Sequence, residues 1–151
     1  MSWDVYIEKF DRPYRSVQDV PDNAKRLILG KRNEIHNIIS LYFNGTDWTD
    51  PTLGIWRSKH GSIEFYVGAE DIIDFIVLHV RANTSVVPMI IMLVQQNGWQ
   101  AIDGNDGVFL EQTDNPQKGL KKWLKFRNKI IKDLNRRSHL SVGVRNIEKN
   151  I

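Results

Sequence analysis

The run Asp71-Ile-Ile-Asp-Phe-Ile-Val-Leu-His-Val-Arg-Ala-Asn-Thr-Ser-Val-Val-Pro-Met-Ile-Ile-Met-Leu-Val-Gln-Gln-Asn-Gly98 holds a strand and a helix back to back, and the other elements find their places around it. From Asp74 to Arg81 the side chains alternate. Ile76, Leu78 and Val80 share one face, and Phe75, Val77, His79 and Arg81 the other, as the two-residue repeat of a pleated strand requires. The β-branched and aromatic content suits a strand and opposes a helix. The second face begins apolar and ends in His79 and Arg81, which predicts a central strand covered on one side and partly open near its end. The helix has legible ends. Thr84 or Ser85 offers an oxygen to the first amides, Pro88 is tolerated in a first turn, and Asn97-Gly98 supplies a left-handed stop. Met89 to Val94 is apolar on nearly every side, which predicts a buried helix. The segment is far shorter than the ~20 residues needed to cross a bilayer, so it is a core helix and not a membrane anchor.

Upstream, Trp3, Val5 and Ile7 alternate with Asp4, Tyr6 and Glu8 and predict a half-buried first strand. Asp11 to Gly30 has two prolines and no period, so it reads as a loop with one short turn. Ile35, Ile38, Ile39 and Tyr42 recur at helical spacing from Arg32 to Phe43, before the Asn44-Gly45 stop. Ile55 to Lys59 and Ser62 to Gly68 flank His60-Gly61 and predict a hairpin. Downstream, Trp99 to Asp103 and Val108 to Glu111 bracket the turn-forming Gly104-Asn-Asp-Gly107. A last helix spans 115–137, with Pro116 at its start and a stripe of Leu120, Trp123, Leu124, Arg127, Ile130, Ile131 and Leu134. No strong pattern follows Ser138. The order β-α-β-β-β-α-β-β-α does not interleave helices and strands regularly. It predicts an α+β fold: a mainly antiparallel sheet of about five to six strands with three helices on one face. At 151 residues, 1–151 is expected to form one domain, with 115–137 a basic C-terminal element that can be an appendage.

Charge is divided unevenly. Residues 1–117 hold 10 Lys and Arg against 16 Asp and Glu, whereas residues 118–151 hold 11 against 2. The first part is net −6 and the second net +9, so the overall +3 hides an acidic body with a basic tail. The chain has no cysteine, which excludes disulfides and thiolate metal sites and fits a reducing compartment. Met-Ser-Trp-Asp-Val-Tyr at the start has neither a basic opening nor a long apolar run, so no secretory signal is expected and the cytoplasm is the expected location.

Five groups of residues are candidates for function. Glu64, Tyr66, His79 and Arg81 fall on one face if the hairpin pairs with the central strand; together they suit acid–base work or anion binding, or form a solvated cross-strand ion pair. Opposite faces for Glu64 and His79 would end that idea. The histidines His36, His60, His79 and His139 are scattered and match no metal-ligand spacing, and Asp103-Gly-Asn-Asp-Gly107 reads as a turn and not a calcium loop. No metal or cofactor is expected. Nucleophile and phosphate-binding motifs are absent, so no catalytic residue is assigned. Lys118, Lys121, Lys122, Lys125, Lys129, Lys132, Arg136 and Arg137 crowd the last helix and suit phosphate neutralisation, docking on the acidic body, or plain solvation. Asp47, Asp50, Glu64, Glu70, Asp71, Asp74, Asp103, Asp106, Glu111 and Asp114 lie mostly in loops, with Trp48 and Trp56 among them as aromatic anchors for a protein partner.

Met1-Ser-Trp-Asp-Val-Tyr, Asp50-Pro-Thr-Leu-Gly, Ser62-Ile-Glu-Phe-Tyr-Val-Gly, Leu78-His-Val-Arg and Leu93-Val-Gln-Gln-Asn-Gly-Trp-Gln-Ala-Ile-Asp together resemble a small bacterial family of single-domain proteins. The resemblance covers about residues 1–112. It implies one cytoplasmic α+β domain and assigns no catalytic residue. By analogy of style, small acidic α+β proteins of this kind are similar to toxin-immunity proteins. The expected function is a non-enzymatic protein–protein interaction module, immunity-like in character. The alternatives are a nucleic-acid-associated protein using the basic helix and an enzyme centred on Glu64, His79 and Arg81.

Overall fold

The computed structural model describes the backbone of residues 1–149 and the side chains of residues 1–138. In chain order the elements are β1 (Trp3–Glu8), β2 (Gly30–Lys31), α1 (Arg32–Tyr42), β3 (Leu53–Ser58), β4 (Gly61–Tyr66), β5 (Ile72–Ile73), β6 (Ile76–Ala82), α2 (Val86–Asn97), β7 (Gln100–Asp103) and α3 (Lys118–Lys149). Five strands form an antiparallel sheet in the order β3-β4-β6-β1-β7, and β2 pairs with β5 in a separate ribbon. The fold is therefore α+β with a mainly antiparallel sheet and three helices. The strand from the opening run is central, third of five.

Alternation determines the two faces of the sheet. Trp3, Val5 and Ile7 of β1, Ile63 and Phe65 of β4, and Ile76, Leu78, Val80 and Ala82 of β6 all point inward and are buried. Ile35 and Ile39 of α1, Phe43 just beyond it, and Val86, Val87, Ile90, Leu93 and Val94 of α2 complete one core against that face. Each such side chain contributes about 1.5–3 kcal/mol when removed from water, so this layer is what stabilises the fold. Gly61, at φ +123°, opens β4 beside β6, and a Cβ there would overlap the Arg81 carbonyl. Gly98, at φ +68°, ends α2 in the left-handed conformation expected of it.

Several expectations are corrected. Neither Thr84 nor Ser85 caps α2 with its side chain. Ser85 is already helical, and the Asn83 carboxamide oxygen accepts the Ser85 N–H at 3.0 Å. The chain turns as it leaves β6, so the residue at the corner is the one placed to cap. Nor is α2 buried all round: Met92 is 51% exposed and Pro88 is exposed. The sheet takes one face of the helix and α1 flanks it, with Tyr42 donating to Gln96, which leaves Pro88 and Met92 in solvent. The segment after the 104–107 turn makes isolated bridges with Ser16 and Ile102 in place of a strand, because only the Val108 and Leu110 positions hydrogen-bond to β7. The β2–β5 ribbon is too short to show any alternation. The last helix starts at Lys118, so Pro116 lies in the turn before it, and its backbone continues past Arg137 to Lys149. His139 lies outside the described side chains.

Candidate functional site

The predicted sheet-face group is brought together. β4 and β6 pair with Glu64 opposite His79, so both project from the outer face. Arg81 Nη1 donates to Glu64 Oε1 at 3.0 Å, and Arg81 Nε donates to the Met1 carbonyl at 2.9 Å. His79 Nδ1 lies 2.9 Å from Asp4 Oδ1, across the β1–β6 pair. Ser2 donates to the same Asp4 oxygen and lies 3.4 Å from the same ring nitrogen. Tyr66 pairs with Val77 at the next position and is 51% exposed. The Asp4 partner went unpredicted because it needs the β1–β6 register, 75 residues apart in sequence.

Chemically this is a ladder of ion pairs. A serine nucleophile needs its base and the orienting carboxylate on opposite nitrogens of the imidazole. Here Ser2 and Asp4 both address Nδ1, so no triad is formed. The Arg81 guanidinium is committed to Glu64 and to the chain start. The network ties β1, β4 and β6 together on the side the helices leave open.

The two tryptophans occupy structural positions. Trp56 is 5% exposed, on the inner face of β3, with its ring 5.2 Å from Phe43 in an edge contact. It is corrected from a loop anchor to a core residue, because its register places it opposite the buried Ile63. Trp48 stacks on His36 with centroids 3.9 Å apart and donates to Ser40 Oγ at 3.0 Å. A Cβ at Gly54 would come within 2.6 Å of its ring, so Gly54 is the floor on which the indole lies.

Much of the acidic body is also occupied. Asp47 accepts from Thr49 and Asp50 from Thr52, and these hydrogen bonds hold both carboxyls below the usual carboxylate range. Asp103 is buried; it accepts the Trp3 indole N–H at 3.2 Å and the Asn105 and Asp106 amides. The 103–107 segment is thus an aspartate-capped turn, closed by Gly107 at φ +67°. Burial raises the Glu111 carboxyl, whose Oε2 accepts the Ala101 N–H while Oε1 has no partner. Among the described residues no group of three His, Asp or Glu is placed to hold a metal.

The basic helix behaves differently along its length. Gly119 and Leu120 are buried and Trp123 nearly so, and a Cβ at Gly119 would overlap the Asp103 carboxylate. Arg127 lies over the Trp123 ring, 5.3 Å from its centroid. Every residue from Ile131 to Ser138 is exposed. Among the described residues none of the predicted group, Lys118, Lys121, Lys122, Lys125, Lys129, Lys132, Arg136 and Arg137, forms an ion pair. The helix docks through apolar contacts in its first turns, and its charge is solvated. Also among the described residues, no helix is long and apolar enough to cross a membrane.

Compared with protein-family models, with curated proteins and with solved structures, the chain matches none.

Proposed function

We propose that this is a non-enzymatic interaction module that binds a protein partner through the projecting part of α3. The observation that carries the reading is the apolar stripe that outlasts its support. Ile131 is 46% exposed and Leu134 58% exposed, on a helix whose backbone continues to Lys149. In water an unsupported helix is marginal below ~12–15 residues, and helical stability normally comes from packing an apolar face. An amphipathic helix laid into a partner's groove, with lysines on its flanks, suits an acidic protein surface. This moves the binding surface away from the acidic loops, where Asp47, Asp50 and Asp103 cap their own turns. A reducing compartment such as the cytoplasm suits a chain without cysteine.

A second reading rests on charge: residues 118–138 carry nine Lys and Arg and a single Asp, which suits a nucleic-acid backbone. Affinity capture from the native host at physiological salt separates the two, using the whole chain beside the double variant Ile131→Asp/Leu134→Asp. The protein reading expects one stoichiometric partner, lost from the variant. Capture of nucleic acid alone, lost on raising salt and retained by the variant, would overturn it in favour of the second reading.

A further inference from the structure

The outer face of the sheet carries an open cavity of about 420 Å³ at the β1–β7 edge. It is lined by Tyr6 and Glu8 of β1, Ile102 and Asp103 of β7 and Phe75 at the entry to β6, together with Val17 and the 104–107 turn. Tyr6 and Phe75 stack on each other, 13° from parallel with centroids 5.8 Å apart, and bring an aromatic pair to the cavity wall. The carboxylate of Glu8 stands at its side, with its side chain 14% exposed. Burial raises this carboxyl, against the opposing pull of Arg26 and with a smaller push from Asp74.

The chain itself indicates what such a surface takes. Arg26 Nε lies 3.4 Å from Glu8 Oε1, and its guanidinium carbon lies 5.1 Å from the Phe75 centroid. A flat, delocalised nitrogen cation thus already touches the aromatic surface and the carboxylate together. Arg26 is about half exposed and engages Oε1, while Tyr6 is half-buried and lines the cavity beside it. We propose that this cavity binds a small planar aromatic cation of the amidine or amino-heterocycle class, its ring against Tyr6 and Phe75 and its N–H groups donated to Glu8. Flat rings favour offset stacking, cations favour aromatic faces, and paired N–H donors fit a carboxylate. A Cβ at Gly107 would meet only Val17, at 4.0 Å, so the cavity is open at that turn. The site shares no residue with α3 and stands independently of the partner proposed there.

The test is calorimetric titration of the full chain with benzamidine, and with benzoate as the probe of opposite charge. Benzamidine is expected to bind saturably with one-to-one stoichiometry and benzoate not at all. Glu8→Gln should weaken benzamidine by about tenfold or more, through loss of a charge-assisted contact. Arg26→Ala should tighten it, because the internal competitor is gone. Val17→Trp, at a position 39% exposed, should block the cavity with the melting temperature unchanged. No saturable benzamidine binding at millimolar concentration would overturn the proposal. So would binding that Glu8→Gln and Val17→Trp leave unaltered.

Discussion

The two halves of α3 share one periodicity and meet opposite fates. In the first half Leu120 and Trp123 enter the core, and Gly119 lets the backbone approach β1 and β7 closely enough to touch the Asp103 carboxylate. In the second half Ile131 and Leu134 continue the same stripe and are 46% and 58% exposed. The helix α2 repeats the lesson more mildly, with five buried residues on one face and Met92 bare on the other. Amphipathic spacing specifies that a face is to be covered. What covers it is settled by the neighbouring elements, and among the described residues every one from Ile131 to Ser138 is exposed.

Substitutions sharpen the contrast, starting from the docked half. Trp123→Ala should cost about 3–5 kcal/mol, as loss of a buried indole does, and a chemical denaturation midpoint will read it. Trp123→Phe should cost far less, because the indole N–H is buried without a partner and its removal relieves that penalty. A Phe variant as unstable as the Ala variant would show that the N–H is satisfied after all. Next in size is Gly119→Ala. On an exposed helix this change gains about 1 kcal/mol from propensity. Here the added methyl meets a buried carboxylate held by Trp3 and two backbone amides, so a net loss of about 1–3 kcal/mol is expected from overpacking.

These docked contacts mark where the sequence was legible. Strict alternation in β1 and β6 announced both strands and their inward faces, and Asn97-Gly98 announced the end of α2. Trp56 was misplaced because its inward direction depends on the hairpin register, and a slip of one residue reverses every side chain. The Glu64–His79 juxtaposition followed from alternation once β4 and β6 were paired. The Asp4 contact to His79 did not, because no local pattern carries a pairing between the chain start and the sixth strand. The Glu8 cavity was equally hidden: it is assembled from two strands, the residue entering a third, and a turn, and none of those residues is unusual in its own neighbourhood.

Glu111 provides a smaller effect with a definite sign. Its carboxyl is raised in the folded state, with burial the leading cause and its backbone hydrogen bonds opposing. The folded protein therefore holds this proton more tightly than the unfolded chain. Stability attributable to Glu111 falls as pH rises from the unfolded value of 4.5 through the folded one, and it is recovered on acidification. Asp47 and Asp50 act in the opposite sense: their lowered carboxyls add stability above the unfolded value of 3.8 that is lost as pH falls through the folded one. Glu111→Gln keeps an acceptor for the Ala101 amide and removes the charge. Its melting temperature should exceed that of the parent at neutral pH, and the difference should close as the pH approaches the ordinary carboxylate range. A constant difference across that range would assign the effect to packing.

The smallest expected effect is the most telling about the bare half of α3. Ile131→Ser and Leu134→Ser remove apolar surface that is already about half in water, so in the isolated chain each should change stability by less than about 1 kcal/mol. The same pair placed at Leu120 or Trp123 would be severe, although the spacing along the helix is identical. Thermal melts of the four variants at one concentration make the comparison directly. If the serine variants at 131 and 134 lower the melting temperature markedly, those side chains are covered in the free protein, most simply by a second copy, and dilution should reproduce the loss in the parent chain. If they are silent alone and decisive in the presence of a captured partner, the stripe serves recognition. Stability measured without the partner and binding measured with it then separate, residue by residue, at the point where α3 leaves the body.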